Sequence, residues 1–196
     1  MIAYLKGKLA HKDPTHVIIE VSGVGYLVHI SLQTFSEIKD QENILLHTHL
    51  QVREDAHILF GFSSSSEKKL FQQLISVNGV GPSTAIVMLS YMNNAELKSA
   101  IIQEDVVALQ SIKGIGNKTA QRVIIELKDK LKKESWEEGP TVSAGPHNTL
   151  RREALSALLT LGLPKVTAEK SVDAILKKSG NTITLEDLVK QALKNA

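Results

Sequence analysis

The feature that most constrains this chain is a stretch that it contains twice. "VNGVGPSTA" begins at Val77 and "IKGIGNKTA" begins at Ile112. At a constant offset of 35, Leu74 falls on Leu109, Ser76 on Ser111, Gly79 on Gly114 and Gly81 on Gly116. Thr84 then falls on Thr119, Ala85 on Ala120 and Leu89 on Ile124. Chance rarely holds such a register, so one unit is used twice for one purpose.

The repeats sit among apolar residues at helical spacing, such as Leu70, Leu74 and Val77, or Val123, Ile124 and Leu127. Each copy therefore places a G-x-G hairpin between two helices. The first glycine permits a sharp turn and the second lets another backbone come close. The following helix is expected to start near Pro82 in one copy and Asn117 in the other, and proline suits a first helical turn. Unpaired N–H groups at such a start, backed by the helix dipole, attract an anion such as phosphate.

Several readings of the hairpins compete. The plain one is a connection in which glycines end one helix and start the next. A dinucleotide fingerprint requires a preceding strand and a downstream acid on a second strand, and these repeats lie among helices. A phosphate-binding P-loop requires a glycine-rich loop ending in Gly-Lys-Ser/Thr, which the chain lacks. The remaining reading is a tandem helix-hairpin-helix, which holds the phosphate backbone of DNA without reading bases. Duplication favours it.

Elsewhere the chain changes character. Within residues 1–63, "HVIIEV", "YLVHI", "ILLHTHLQV" and "HILFGF" read as strands, "SGVG" at 22–25 as a hairpin turn, and "SLQTFSEI" as a short helix. Five or six strands with one helix predict a small closed barrel of the oligonucleotide-binding type. Residues 64–134 form an all-helical region holding both repeats. Residues 135–148, "SWEEGPTVSAGPHN", lack periodicity and read as a flexible linker. Residues 149–196 contain three helices, with stops at Gly162 and Gly180 and a capping box from Thr184 to Asp187. Detached by a linker, a domain this small suits docking better than a catalytic cleft.

Composition narrows the function classes. The chain has no cysteine, which removes disulfides and thiolate metal sites. An apolar fraction of 42% is that of a globular protein. Net charge is only +2, with the repeat region mildly basic and the first sixty residues mildly acidic. No apolar run reaches secretory or membrane-spanning length, so a cytoplasmic protein is expected. His47 and His49 alternate on one strand but lack a third ligand, so no metal or cofactor is expected. Trp136 stays without a role. No serine–histidine–acid or paired-carboxylate arrangement argues for catalysis. "VREDAH" reads by itself as a solvated hairpin tip.

Together the start "MIAYLKG", the turn "VSGVGY", "VREDAHILFGF", both hairpins and the linked three-helix end resemble the RuvA family over essentially the whole chain. Its members are bacterial Holliday-junction-binding subunits of a branch-migration complex. The resemblance implies a multi-domain α+β protein: an OB-fold barrel, tandem helix-hairpin-helix motifs and a three-helix UBA-like domain. It implies a homotetramer, one or two per junction, that holds four-way junction DNA open and planar in recombination, repair and the SOS response. A RuvB-type hexameric ATPase and a junction resolvase are the implied partners.

Carried onto this sequence, the first DNA-binding hairpin is Asn78, Gly79, Val80 and Gly81, leading to Ser83 and Thr84. The second is Lys113, Gly114, Ile115 and Gly116, leading to Asn117, Lys118 and Thr119, with Arg122 one turn on. Family members often carry lysine where this chain has Ser83 and Asn117. Glu54 and Asp55, with Arg53 beside them, match an acidic pin aimed at the junction centre. Partner docking is expected around Leu161, Leu163 and the helix starting at Thr167. The rival reading is a structure-specific nuclease or glycosylase that uses the hairpins only for grip.

Overall fold

A computed structural model describes residues 1–137, 146–179 and 183–195. It divides into two compact units, the first being Met1–Glu137 and the second holding the C-terminal helices. No helix among the described residues is long and apolar enough to cross a membrane.

The first unit opens with strands β1 (Tyr4–Lys12), β2 (His16–Val21) and β3 (Val24–Ile30), helix α1 (Leu32–Ile38), and strands β4 (Asn43–Val52) and β5 (His57–Phe62). The strands close a five-stranded barrel in the order β1-β2-β3-β5-β4. Neighbours run antiparallel except β3 and β5, which are parallel with Val28 opposite Leu59. Alternate residues turn inward, as strand geometry requires, so Leu5 and Leu9, Val17 and Ile19, Val28 and Ile30, and Ile44 and Leu46 fill the interior. Ile38 of α1 joins that core. The β2–β3 turn has Ser22 at φ 51 and Gly23 at φ 84, the pair of positive angles that matches strand twist in a two-residue hairpin.

Five helices follow: α2 (Ser65–Ile75), α3 (Pro82–Tyr91), α4 (Asn94–Ile102), α5 (Val106–Gln110) and α6 (Asn117–Glu137). Their core is continuous with the barrel wall, because Phe60 and Phe62 of β5 belong to it. The Phe71 ring of α2 lies 5.2 Å and 4.8 Å from theirs. Residues 1–63 and 64–134 thus differ in element type yet pack as one body.

A polar cluster joins the same two parts. Glu67 in the first turn of α2 is 3% exposed. Its carboxylate accepts from Ser31 Oγ at 2.5 Å, Thr34 Oγ1 at 2.7 Å and Ser63 Oγ at 3.3 Å. Ser31 also caps α1 by accepting the Thr34 N–H at 3.0 Å. A buried charge needs such donors. The barrel's helix is therefore locked to the first helix of the repeat region.

In the second unit, α7 (Pro146–Thr160), α8 (Lys165–Ser179) and α9 (Leu185–Lys194) pack around Leu158, Val172, Ile175 and Leu188. Helix α7 ends in a Schellman turn: Gly162 has φ 92, and the Gly162 and Leu163 N–H groups bond Leu159 O and Leu158 O at 3.0 Å each. Thr184 caps α9 by accepting the Asp187 N–H. Arg151 and Asp173 make a two-pronged ion pair at 2.6 and 2.9 Å between α7 and α8, which lowers the Asp173 pKa and raises that of Arg151.

The stretch expected as a linker is shorter than its composition implies. Helix α6 continues to Glu137 and α7 already begins at Pro146. The lysine-rich end of α6 keeps helical propensity through Ser135, and proline is a favoured helix opener. Residues 138–145, the side chain of Trp136 and the expected stop at Gly180 lie outside the described residues.

Candidate nucleic-acid interface

The two repeats fold to the same local geometry. Gly79 and Gly114 each have φ 91, a left-handed value that a side chain would strain. In the first copy the Val77 N–H bonds Leu74 O and the Val80 N–H bonds Val77 O at 3.0 Å. In the second the Ile112 N–H bonds Leu109 O and the Ile115 N–H bonds Ile112 O at 3.0 Å. The Ser76 and Ser111 hydroxyls each return 2.7 Å to the carbonyl three residues earlier. Leu74, Val77, Ala85 and Leu89 enter the core, and so do Leu109, Ile112, Ala120 and Ile124.

Val80 and Ile115 correct the sequence-based site. Each is only 5% exposed, with its side chain in the shared core. They are the apolar pegs that hold each hairpin down, so only their backbones can face a ligand.

Gly81 and Gly116 are different from the turn glycines. A Cβ built on either would meet no atom within 4 Å, and neither has a left-handed φ. Gly81 stands at φ −83, a value open to any residue. Neither the turn nor the packing calls for glycine here, so what remains is the outer space. These bare positions let something approach the backbone from solvent.

What it would meet there is a row of donors. Gly81 supplies no side-chain cap to α3, and Pro82 has no N–H. The first bonds within the helices run from Ala85 N–H to Gly81 O and from Ala120 N–H to Gly116 O, both 2.9 Å. The amides before them lack intrahelical partners by construction. Asn78, Ser83, Lys113, Asn117 and Lys118 are exposed around these ends, while Thr84 and Thr119 are half-buried. At the offset of 35, Ser83 lies on Lys118 and Asn78 on Lys113, so the second copy carries the positive charge. An anion held by amides and flanking lysines fits both ends.

Arg122 is exposed on α6, and its Nη1 donates to Asn78 O of the first hairpin at 3.0 Å. This hydrogen bond links the helix that follows the second hairpin to the first hairpin. Another α6 cation is engaged elsewhere: Lys128 bonds Glu104, whose backbone has the unusual φ of 61, and that bond lowers the Glu104 pKa.

The acidic pair Glu54 and Asp55, with Arg53 beside it, sits apart, at the β4–β5 hairpin. The Arg53 N–H bonds Ala56 O at 2.8 Å, which leaves Glu54 and Asp55 at the tip. Both are exposed, and neither makes an ion pair among the described residues. His47 and His49 lie on β4, where the His49 ring stacks edge-on against Phe71 at 5.4 Å. Burial, with Lys68 nearby, pushes the His49 pKa down.

In the second unit, Leu161 is 60% exposed, whereas Leu163 is the residue after the Schellman glycine and packs on the core. Thr167 is half-buried in the first turn of α8. Sequence reading missed Leu159 and Val166, exposed apolar residues beside that turn in the chain. Periodicity would have flagged them as surface positions, where apolar residues stand out.

Known proteins match this architecture along its length. The family profile described as "RuvA N terminal domain" matches residues 1–61, "SAM-like Helix-hairpin-helix tandem" matches 71–129, and "RuvA, C-terminal domain" matches 149–196. A protein of Cytophaga hutchinsonii named "Holliday junction branch migration complex subunit RuvA" is 56% identical over 197 residues, covering 99% of each chain. Proteins of the same name from Christiangramia forsetii and Pseudomonas putida are 51% and 42% identical, covering 99% of this chain and 99% and 98% of their own. With barrel, paired hairpins and three-helix end in the same order, this chain belongs to the RuvA family.

Proposed function

We propose that the chain binds four-way junction DNA through its phosphates, without reading sequence, as the non-catalytic DNA-holding subunit of a branch-migration complex. The observation that carries this reading is the pair Gly81 and Gly116, glycines that neither the turn nor the packing requires. Phosphate oxygens approaching the bare backbone would meet the uncapped amides of α3 and α6, a contact that positions a duplex without specifying bases. The name shared by the relatives supplies the shape of the DNA. Four equivalent arms call for four equivalent grips, which supports a homotetramer assembled through the barrel. Tyr4, Leu27 and Leu45 expose apolar surface on its strands for that purpose. The second unit would recruit a RuvB-type ATPase through Leu159, Leu161 and Val166, leaving ATP hydrolysis to the partner.

The experiment is a gel-shift comparing a four-way junction with linear duplex of the same arm sequence. Preference for the junction is expected; equal affinity for both would overturn the reading.

Two variants refine it. Glu54→Gln with Asp55→Asn should strengthen duplex binding and erode junction preference by about tenfold, because like charge no longer penalises a duplex laid across the tip. Unchanged discrimination would return the tip to an ordinary solvated turn. Lys118→Ala should weaken junction binding and flatten its salt dependence. Each lost phosphate contact lowers the slope of log affinity against log salt by about 0.9, hence roughly 3 to 4 for a tetramer. Ser83→Ala should leave that slope alone, and Ser83→Lys should steepen it. A wild-type slope for Lys118→Ala would mean that this lysine touches no phosphate.

A further inference from the structure

The guanidinium of Arg122 does something that its charge alone does not describe. Its Nη1 donates to a backbone carbonyl 44 residues away, that of Asn78, which opens the first hairpin. It also lies over the hairpin's turn, since a Cβ built on Gly79 would come 3.7 Å from the same nitrogen. The tie runs one way only. The residue 35 positions before Arg122 is Val87, an exposed valine on α3 with no side-chain donor to offer the second hairpin.

We infer that Arg122 is a positioning residue: it fastens the first hairpin to the helix that follows the second, and so fixes the spacing of the two phosphate grips. Two grips that bind neighbouring stretches of one backbone cooperate only if their separation is set before binding, because spacing established on binding subtracts from affinity. The first hairpin needs this help more than the second. It has Asn78 and Ser83 where the second has Lys113 and Lys118, so its hold depends on amide geometry and not on attraction from a distance. Arg122 is suited to the task because its planar fork can hold a carbonyl with one N–H and keep others free.

The inference rests on the phosphate-gripping reading, but its first test needs no DNA. Val80 and Ile115 are internal twins: each amide bonds a carbonyl three residues back at 3.0 Å, and each residue is 5% exposed. In Arg122→Ala, hydrogen exchange at the Val80 amide should rise about tenfold while that at Ile115 stays put, because only the first hairpin loses its tie. Exchange that changes at neither amide, or equally at both, would overturn the tie.

The second test uses junction DNA. Arg122→Ala should bind about tenfold more weakly, with a salt slope that falls by well under the 0.9 or so per subunit of a lost phosphate contact. In a Gly81→Val background, where the first hairpin is already blocked, the same change should cost nothing further. A full drop in slope with additive losses would make Arg122 an ordinary phosphate contact and overturn the positioning role. If Gly81→Val and Lys118→Ala also leave binding unchanged, the phosphate reading fails, and the exchange experiment still decides the tie.

Discussion

Glu67→Ala should destabilise the first unit by about 3 kcal/mol or more, the largest loss expected from any single side chain at its surface or seams. The carboxylate is the common acceptor for Ser31, Thr34 and Ser63, and Ser31 and Thr34 are fully buried. Its removal strands their hydroxyls away from water, at about 1–3 kcal/mol for each donor left without a partner. Glu67→Gln keeps the shape and one acceptor oxygen but turns an NH2 group toward a hydroxyl, so a loss of about 1–2 kcal/mol is expected. Native-state hydrogen exchange at the Leu46 and Leu74 amides measures both variants, because those residues lie in the barrel and helical cores. If the Ala variant exchanges like the wild type, the cluster contributes nothing to holding barrel and helices together.

This cluster also shows what sequence reading reaches. The repeat was legible because one chemical demand, a left-handed turn with apolar pegs beside it, recurs in fixed register at Gly79 and Gly114. Strands β2 and β5 were legible as dense runs of β-branched and aromatic residues. Strand β1 was not, because where alternation calls for an inward apolar residue between Leu5 and Leu9 it has Gly7. A Cβ there would lie 2.1 Å from Glu20 O, so the closeness of β2 explains the gap in the pattern. That closeness is a fact of the closed barrel and leaves no trace in a one-dimensional period.

The candidate site divides along the same line. Its anchor positions were legible, but the direction of side chains was not. Val80 and Ile115 sit inside the hairpin motif and still turn to the core, while Leu163 turns inward as the residue after a helix-ending glycine. Long-range polar contacts were out of reach altogether. Glu67 meets Ser31 and Thr34 across 36 and 33 residues, and Arg122 meets a backbone carbonyl, a partner that every residue carries. Residue identity says nothing of such pairings, because they depend on how two elements are brought side by side.

Valine at both Gly81 and Gly116 should abolish most junction binding while leaving the fold in place. Each Cβ enters open space and neither backbone angle is left-handed, so the only structural cost is a poorer helix cap, about 1 kcal/mol per site. The effect on binding should be much larger. The branched methyls stand where a phosphate must come to reach the amides behind them, and every subunit carries the block twice. Affinity should fall by at least about a hundredfold, the equivalent of ~2.7 kcal/mol, and Gly81→Val alone should account for a substantial part of it. Gly79→Val is the contrasting control. At φ 91 its side chain strains the turn itself, so stability should drop by about 1–3 kcal/mol before any DNA is added. Thermal unfolding and a junction titration of the three proteins separate the two kinds of glycine. A stable double variant that binds junctions like the wild type would mean that no ligand approaches there, and both hairpins would revert to plain connections between helices.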